Sequence, residues 1–210
     1  MHHNNHPNES VSSGGGLRAE IAAAAAALIA EEGLDYASAK RKAYERITGG
    51  RGNRIARELL PSNEAVEDAV REYQQIFQSD TQPQRLQSLR KKALSLMRLL
   101  ADFAPHVTGA VANGTASEHS DIHLQCFADN AKALGIFLHN QNIRNDAAHL
   151  PHFRKGEPDV EALVVQWQGE LATIAVFPEA DGRNIPKPDG RPHPQRLTLA
   201  ELEKIVVQNP

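Results

Sequence analysis

The chain has 210 residues, of which 40% are hydrophobic and 23% charged, and its formal net charge is -3. This composition is ordinary for a folded globular protein of one large or two small domains, and it provides no global positive field for nucleic acid or anionic membranes. No apolar stretch of the sequence is long enough to span a bilayer, and the single cysteine, Cys126, cannot form an internal disulfide, so we expect a cytoplasmic location without membrane attachment.

The N-terminal part of the chain predicts a tail followed by helices. Residues 1–16 are polar and rich in glycine, serine and asparagine, so they have little to bury and we predict a disordered tail. Residues 17–32 are alanine-rich with a narrow apolar face, and Gly33 is a natural stop for the helix that they predict. We assign residues 17–104 to a helical region and residues 105–210 to a second domain.

A second predicted helix, 35–47, carries a cluster of cations. They are Lys40, Arg41, Lys42 and Arg46. Together with the helix that ends before Gly33, it resembles the opening of a TetR-type DNA-binding domain, which implies a transcriptional regulator that contacts DNA through Lys40, Arg41 and Lys42. A flexible basic loop follows where a helix-turn-helix needs its recognition helix. Charge runs are also typical of solvated helix faces, so two surface-basic helices packed on the rest of the protein are the alternative.

Two amphipathic helices are predicted next. Ser62 can cap the first, whose apolar residues recur at helical spacing as far as Phe77. Pro83 opens the second, in which leucines alternate at intervals of three and four residues until Pro105 ends it. We expect the apolar faces of these two helices to pack against each other, which explains both stripes without a cofactor.

The segment 107–129 is central to the functional interpretation. The apolar run 107–112 predicts a strand, Gly114 and Thr115 a turn, and the alternating residues 121–124 a second strand. Asp121 and His123 are two positions apart, so their side chains share one face of this strand. A carboxylate and an imidazole placed side by side can hold a metal ion.

This arrangement resembles the nucleotidyltransferase superfamily of the DNA polymerase β type. In that family a Gly-Ser or Gly-Gly turn after the first strand holds the nucleotide phosphates, and an Asp-x-Asp on the next strand holds magnesium. The resemblance implies that Gly114, Thr115 and Ser120 bind a nucleoside triphosphate, that Asp121 is catalytic, and that Asp121 and His123 bind a divalent metal. It covers about a third of the chain, and the whole pattern is similar to uncharacterised bacterial proteins labelled as nucleotidyltransferases.

Two departures from the family pattern bear on the chemistry. His123 stands in the place of the second acid, and imidazole suits zinc better than it suits magnesium or manganese, which prefer oxygen ligands. The family also uses a third acid on a later strand, for which Glu161 and Glu170 are the candidates. The sequence therefore supports the fold better than the reaction, and a non-catalytic protein that binds a nucleotide or a protein partner is the alternative.

The remaining segments predict a small sheet with helices. A helix is predicted over residues 131–139 and a polar, irregular stretch over 140–158. An antiparallel hairpin is predicted from the strands 160–167 and 170–177, because Gly169 occupies the second place of a two-residue turn.

The C-terminal part predicts a loop and a final helix. Residues 178–194 hold four prolines and predict a long loop, and Thr198 with Glu201 forms a capping-box pattern that begins the last helix. Helices dominate the first half and a small mixed or antiparallel sheet with helices the second, so the predicted fold class is α+β, like that of a nucleotidyltransferase.

Overall fold

The computed structural model describes residues 10–49, 57–185 and 192–208. It confirms the α+β class, since a helical N-terminal part is followed by a mixed sheet with helices. The chain divides into two compact units, Met1–Thr81 and Gln82–Pro210. Over the described ranges, no helix combines the length and the apolar character needed to cross a bilayer.

The described part of the N-terminal unit consists of helices, whose bounds differ from the prediction at the start. They are α1 (Ser10–Glu32), α2 (Tyr36–Thr48) and α3 (Asn63–Phe77), with a short 3-10 turn at Arg57–Leu59. Residues 10–16 of the predicted tail belong to α1, because each residue added to a formed helix gains a backbone hydrogen bond. Residues 1–9 of that tail, and most of the basic loop after α2, lie outside the described residues.

Local capping sets the ends of α2 and the start of α3. The Asp35 carboxylate accepts the backbone N–H groups of Ala37 and Ser38 at 2.9 and 3.1 Å, and Gly49 ends α2 with φ of 71°. Ser62 caps α3 as predicted, since its hydroxyl accepts the N–H of Ala65 at 3.1 Å. These contacts need only neighbours in sequence, so the prediction captured them.

The core of the N-terminal unit packs α1 between its two partner helices. Fully buried side chains include Ile21 and Ala25 of α1, Ala39 of α2 and Val70 of α3. The small alanines let the helix backbones approach closely. The apolar face of α3 is thus used inside this unit, and the prediction that it packs against the next helix is wrong.

The second unit is built on a sheet with the strand order β3-β4-β5-β2-β1-β6. The strands are β1 (His106–Thr108), β2 (Ile122–Phe127), β3 (Asn145–Leu150), β4 (Val160–Trp167), β5 (Glu170–Phe177) and β6 (Arg196–Thr198). Strands β2 and β5 pair in parallel, and the other neighbouring pairs of this sheet are antiparallel. The sheet is therefore mixed.

Helices cover one face of this sheet. The helices of the unit are α4 (Gln82–Leu99), α5 (Gly109–Asn113), α6 (Ala131–Asn140), α7 (Glu179–Gly182) and α8 (Leu199–Gln208), with a 3-10 turn at Ala101–Phe103. Leu96 of α4, Leu134 of α6 and Leu202 of α8 are fully buried with Leu124 and Ile174 of the sheet. Because α4 completes this core, the unit begins at Gln82 and not at the predicted residue 105.

Three predicted elements agree with the structure. The hairpin of β4 and β5 has the predicted bounds, and its turn residues Gln168 and Gly169 have φ of 50° and 83°, as a type I′ turn requires. Helix α6 is present. The capping box is present too: Glu201 accepts the Thr198 N–H at 2.8 Å, and the Thr198 hydroxyl accepts the Glu201 N–H at 3.3 Å.

Two predictions around the first and third strands are wrong. The strand predicted over 107–112 ends at Thr108, because Gly109 turns the chain with φ of 65° and the following alanines form α5. The irregular stretch predicted over 140–158 contains the edge strand β3, whose polar sequence lacks the alternation that marks a half-buried strand.

The described residues cover the second face of the sheet only in part. Phe153 and Ile185 pack with Phe127 and Phe177, and a Cβ on Gly182 of α7 would lie 3.1 Å from the Phe127 ring. The predicted loop 178–194 thus contains a short helix, and its residues 186–191 lie outside the described residues. The part of this face formed by β1 and the start of β2 carries polar side chains instead.

Candidate functional site

A row of polar side chains crosses the sheet on the face opposite α4, and we call it the polar row. The register places Arg196 of β6 beside Thr108 of β1, Thr108 beside His123 of β2, and His123 beside Thr173 of β5. Side chains directly opposite each other on neighbouring strands point to the same face, so these four lie together. His123 is exposed and the other three are partly exposed.

Asp121 lies directly before β2, beside the polar row. Because β2 begins at Ile122, the strand period does not fix the direction of the Asp121 side chain, whose charge acts on both His123 and Arg85. Desolvation lowers the pKa of His123, and the charge of Asp121 raises it by a smaller amount. His123 as a whole residue is exposed, whereas one edge of its ring lies close to Gly109: a Cβ added to Gly109 would be 3.9 Å from His123 Cδ2. The lowered pKa favours the neutral imidazole, which can accept a hydrogen bond.

The predicted phosphate turn has its polar groups engaged within the fold. Gly114 ends α5 with φ of 89°, and its carbonyl accepts the Gln82 Nε2 at 3.0 Å. Thr115 is only 4% exposed, and both its N–H and its hydroxyl donate to Asn113 Oδ1, at 3.0 and 2.8 Å. The geometry therefore gives Gly114 and Thr115 a structural role and no support as phosphate ligands.

Ser120 shapes the loop that leads into Asp121. Its hydroxyl accepts the backbone N–H of Ser117 at 2.9 Å, and its own N–H donates to the Ser117 carbonyl at 3.1 Å. This is a local serine turn, which positions Asp121 at the start of β2. The predicted contact of Ser120 with a nucleotide stays a prediction.

The turn that lies beside His123 is Thr108–Gly109, which the sequence-based prediction missed. Gly109 is exposed, follows β1 directly and has φ of 65°, a conformation that favours glycine. The signal was present in the sequence as a glycine directly after the β-forming pair Val107 and Thr108. The apolar run 107–112 predicts a strand that continues through this glycine, and the predicted turn therefore falls at Gly114.

Neither candidate for the third acid occupies the position next to His123 in the sheet. The Glu170 carboxylate accepts hydrogen bonds from Arg85 at 2.6 and 2.8 Å and from Lys92 at 2.6 Å, so both of its oxygens have partners. Glu161 lies on β4 opposite His149 of β3, on the far side of β5. The position on β5 next to His123 is Thr173, which carries no charge.

The residues around Asp121 do not fit the metal that the resemblance implies. Magnesium and manganese prefer oxygen ligands in octahedral array, and Asp121 supplies one carboxylate. A protein zinc site has at least three protein ligands, whereas Asp121 and His123 make two. Across the part of the chain that the structure describes, no group of three or more His, Cys, Asp or Glu residues is arranged to hold a metal ion.

The cations of α2 mostly have partners within the N-terminal unit. Lys40 donates to Asn63 Oδ1 at 2.7 Å and to the Pro61 carbonyl at 3.2 Å. Glu32 lies 2.5 Å from Lys42 and 3.6 Å from Arg46. These contacts explain much of the predicted DNA-binding cluster as local pairing of α2 with its neighbours.

Sequence-based reasoning also missed Arg196, Gln125 and Thr173, which the sheet brings to the same face as His123. Arg196 and Gln125 are 71 positions apart and form a hydrogen bond of 2.7 Å. No protein-family model, curated protein or solved structure matches the chain. The functional interpretation therefore rests on the residues and geometry described above.

Proposed function

We propose that this chain is a cytoplasmic, nucleotidyltransferase-like protein that binds a nucleoside triphosphate on the open sheet face at Asp121 and His123, without catalysing nucleotidyl transfer. The observation that carries the proposal is the exposed His123 beside Asp121, next to the Thr108–Gly109 turn that follows the first strand. A glycine turn after one strand and polar ligands at the start of the next match the order of parts in the family that the sequence resembles.

Nucleotidyl transfer is not part of the proposed function, because the described residues around His123 lack the several carboxylates that hold the metal ions. Two-metal phosphoryl transfer needs several carboxylates around the reacting phosphate, and Asp121 is the carboxylate next to His123. A neutral imidazole can accept a hydrogen bond from a ribose hydroxyl or a base amine. The Asp121 carboxylate forms stronger hydrogen bonds with the same donors, because it is charged. These contacts can bind a nucleotide, and they supply no means of activating its α-phosphate.

We expect that Asp121→Asn and His123→Ala each weaken nucleoside triphosphate binding by about tenfold or more, since each removes a hydrogen-bond partner of the ligand. The measurement is isothermal titration calorimetry of the full chain with each of the four nucleoside triphosphates, with and without magnesium, manganese or zinc. His149→Ala is the control, because this histidine is also exposed on the same sheet but lies on the edge strand β3. Unchanged affinity in both variants would remove this pair from the site, and strictly metal-dependent binding would contradict the proposed mode.

The competing proposal is a DNA-binding regulator that uses Lys40, Arg41 and Lys42. Phosphate contacts release counterions, so this proposal predicts DNA affinity that falls steeply with salt and is lost on charge reversal of these residues. Because Lys40 and Lys42 have local partners, we expect little retention on duplex DNA even at low salt. An electrophoretic mobility shift over a salt series tests this. Tight, salt-sensitive binding would favour the regulator, and absence of both nucleotide and DNA binding would favour a protein-interaction role.

A further inference from the structure

Arg196 lies at the β6 end of the polar row and carries a partly buried guanidinium. Its Nε donates to Gln125 Oε1 at 2.7 Å, and its Cζ lies 5.4 Å from the centroid of the Phe153 ring. Burial lowers the pKa of Arg196 from its ordinary value. Among the described residues, no carboxylate forms an ion pair with it.

Two other partly buried arginines, Arg154 and Arg85, are each paired with an acid. Arg154 lies over the same Phe153 ring, also at 5.4 Å, and its Nη2 is 2.6 Å from the Asp181 carboxylate. Arg85 is paired with Glu170 at 2.6 Å. Buried charges are normally paired because loss of water is costly, whereas Arg196 has a neutral amide as its partner.

Within the described ranges, a second partly buried arginine without an acid, Arg90, has a different explanation. Arg90 donates from Nε to the Val111 carbonyl at 3.1 Å and from Nη2 to the Ala112 carbonyl at 3.4 Å. These carbonyls lie in the last turn of α5, where the helix leaves acceptors without partners. Arg196 makes no such contact with a helix end, so its desolvation is not compensated in the same way.

We infer that Arg196 and Gln125 form an anion subsite that binds a phosphate group of the ligand. A guanidinium has five N–H donors in a planar fork that suits phosphate oxygens, and the Gln125 amide nitrogen provides a second donor. The backbone of Arg196 lies two strand spacings from His123, about 10 Å across the sheet, and Gln125 lies two residues from His123 on β2, about 7 Å along the strand. The subsite deepens the proposed function by placing the phosphate end of the ligand at β6, and it can be tested without a nucleotide.

The test is calorimetric titration of the full chain with sodium tripolyphosphate and with pyrophosphate. Arg196→Gln is expected to weaken tripolyphosphate binding by about 10- to 100-fold, as loss of a charge-assisted hydrogen bond predicts. Arg144→Gln is the matched control, because Arg144 is exposed on the connection between α6 and β3. Equal affinity of the wild-type and Arg196→Gln proteins, or no binding of either anion to wild type, would overturn the inference.

Gln125→Glu distinguishes loss of the subsite from loss of the fold. It places a carboxylate at the position that already accepts Arg196, so the guanidinium gains an internal counter-ion. We expect the melting temperature to rise by about 2 to 4 °C while tripolyphosphate binding is lost. Retained anion binding in a folded Gln125→Glu protein would contradict the subsite.

Asp121→Asn separates this inference from the proposed function. It should weaken nucleoside triphosphate binding but not tripolyphosphate binding, because loss of a negative charge does not reduce the attraction for an anion. If tripolyphosphate binds through Arg196 but no nucleotide binds, the nucleotide proposal fails and the subsite stands. If nucleotides bind at Asp121 with equal affinity in Arg196→Gln, the subsite fails and the nucleotide proposal stands.

Discussion

Replacing Glu170 with glutamine is expected to lower the free energy of unfolding of the sheet unit by about 3 to 5 kcal/mol, because it leaves Arg85 and Lys92 without their shared counter-charge. The Glu170 side chain is 12% exposed, and its two oxygens accept Arg85 at 2.6 and 2.8 Å and Lys92 at 2.6 Å. Urea unfolding monitored by fluorescence of Trp167, the single tryptophan, measures the change.

Trp167 is a suitable reporter because it contacts the same helix. Its Nε1 donates to the Lys92 carbonyl at 3.1 Å and to the Ser95 hydroxyl at 2.9 Å. Glu161→Gln is the control, since this acid is exposed on β4, and we expect a change of less than about 0.5 kcal/mol. A Glu170→Gln protein as stable as wild type would show that the network contributes no stability.

The pKa of Glu170 gives this prediction a pH dependence. The pKa of Glu170 is lowered from 4.5 to about 2, chiefly by its hydrogen bond with Arg85. Burial raises the pKa, and the hydrogen bond with Lys92 lowers it further. A carboxylate with a lowered pKa stabilises the fold fully above its unfolded pKa, and this stabilisation is lost as pH falls toward the folded pKa. The stability difference between wild type and Glu170→Gln should therefore shrink between pH 4.5 and pH 2. A difference that stays constant over this range would contradict the assignment.

Truncation of Leu96 to alanine is expected to lower the free energy of unfolding of the sheet unit by about 2 to 5 kcal/mol, through lost apolar contact and the cavity that remains. Leu96 is fully buried on α4 within the core that includes Leu124 and Ile174. Urea unfolding followed by Trp167 fluorescence measures the effect. A change below about 1 kcal/mol would contradict the assignment of α4 to this core.

The matched control is Ile21→Ala, which truncates an equally buried side chain on α1 in the N-terminal unit. Circular dichroism should show an earlier loss of helix in this variant. The Trp167 transition should stay at the same urea concentration, because the two units have separate cores. Equal shifts of both signals would show that the two units unfold together.

Elements whose determinants lie within a few residues could be predicted from the sequence. The hairpin of β4 and β5 follows from two β-rich strands around a turn that ends in Gly169, and the capping box of Thr198 and Glu201 has both partners in one helical turn. The α+β class could be predicted for the same reason, because the helical or strand periodicity of each segment depends on residues close together in the sequence. The predicted pairing of Asp121 and His123 on one strand face stays a prediction, because β2 begins at Ile122.

Elements whose determinants are distant in sequence were decided by tertiary structure. Helix α3 buries its apolar face in the core of the N-terminal unit, and α4 buries its apolar face in the core of the sheet unit. The sequence of the two faces does not distinguish these cores from packing of the two helices against each other. The Glu170 carboxylate is bound by Arg85, a residue 85 positions away in the sequence.

The candidate site shows the same division. His123 could be predicted from its position in the sequence pattern of β2. Thr108, Thr173 and Arg196 lie on the same face as His123 because β1 and β5 pair with β2, and β6 pairs with β1. A sequence pattern specifies which face of a strand a side chain occupies, because that depends on its immediate neighbours. Which strands lie side by side depends on burying the apolar surface of the whole unit, and this decided which polar groups share the open face.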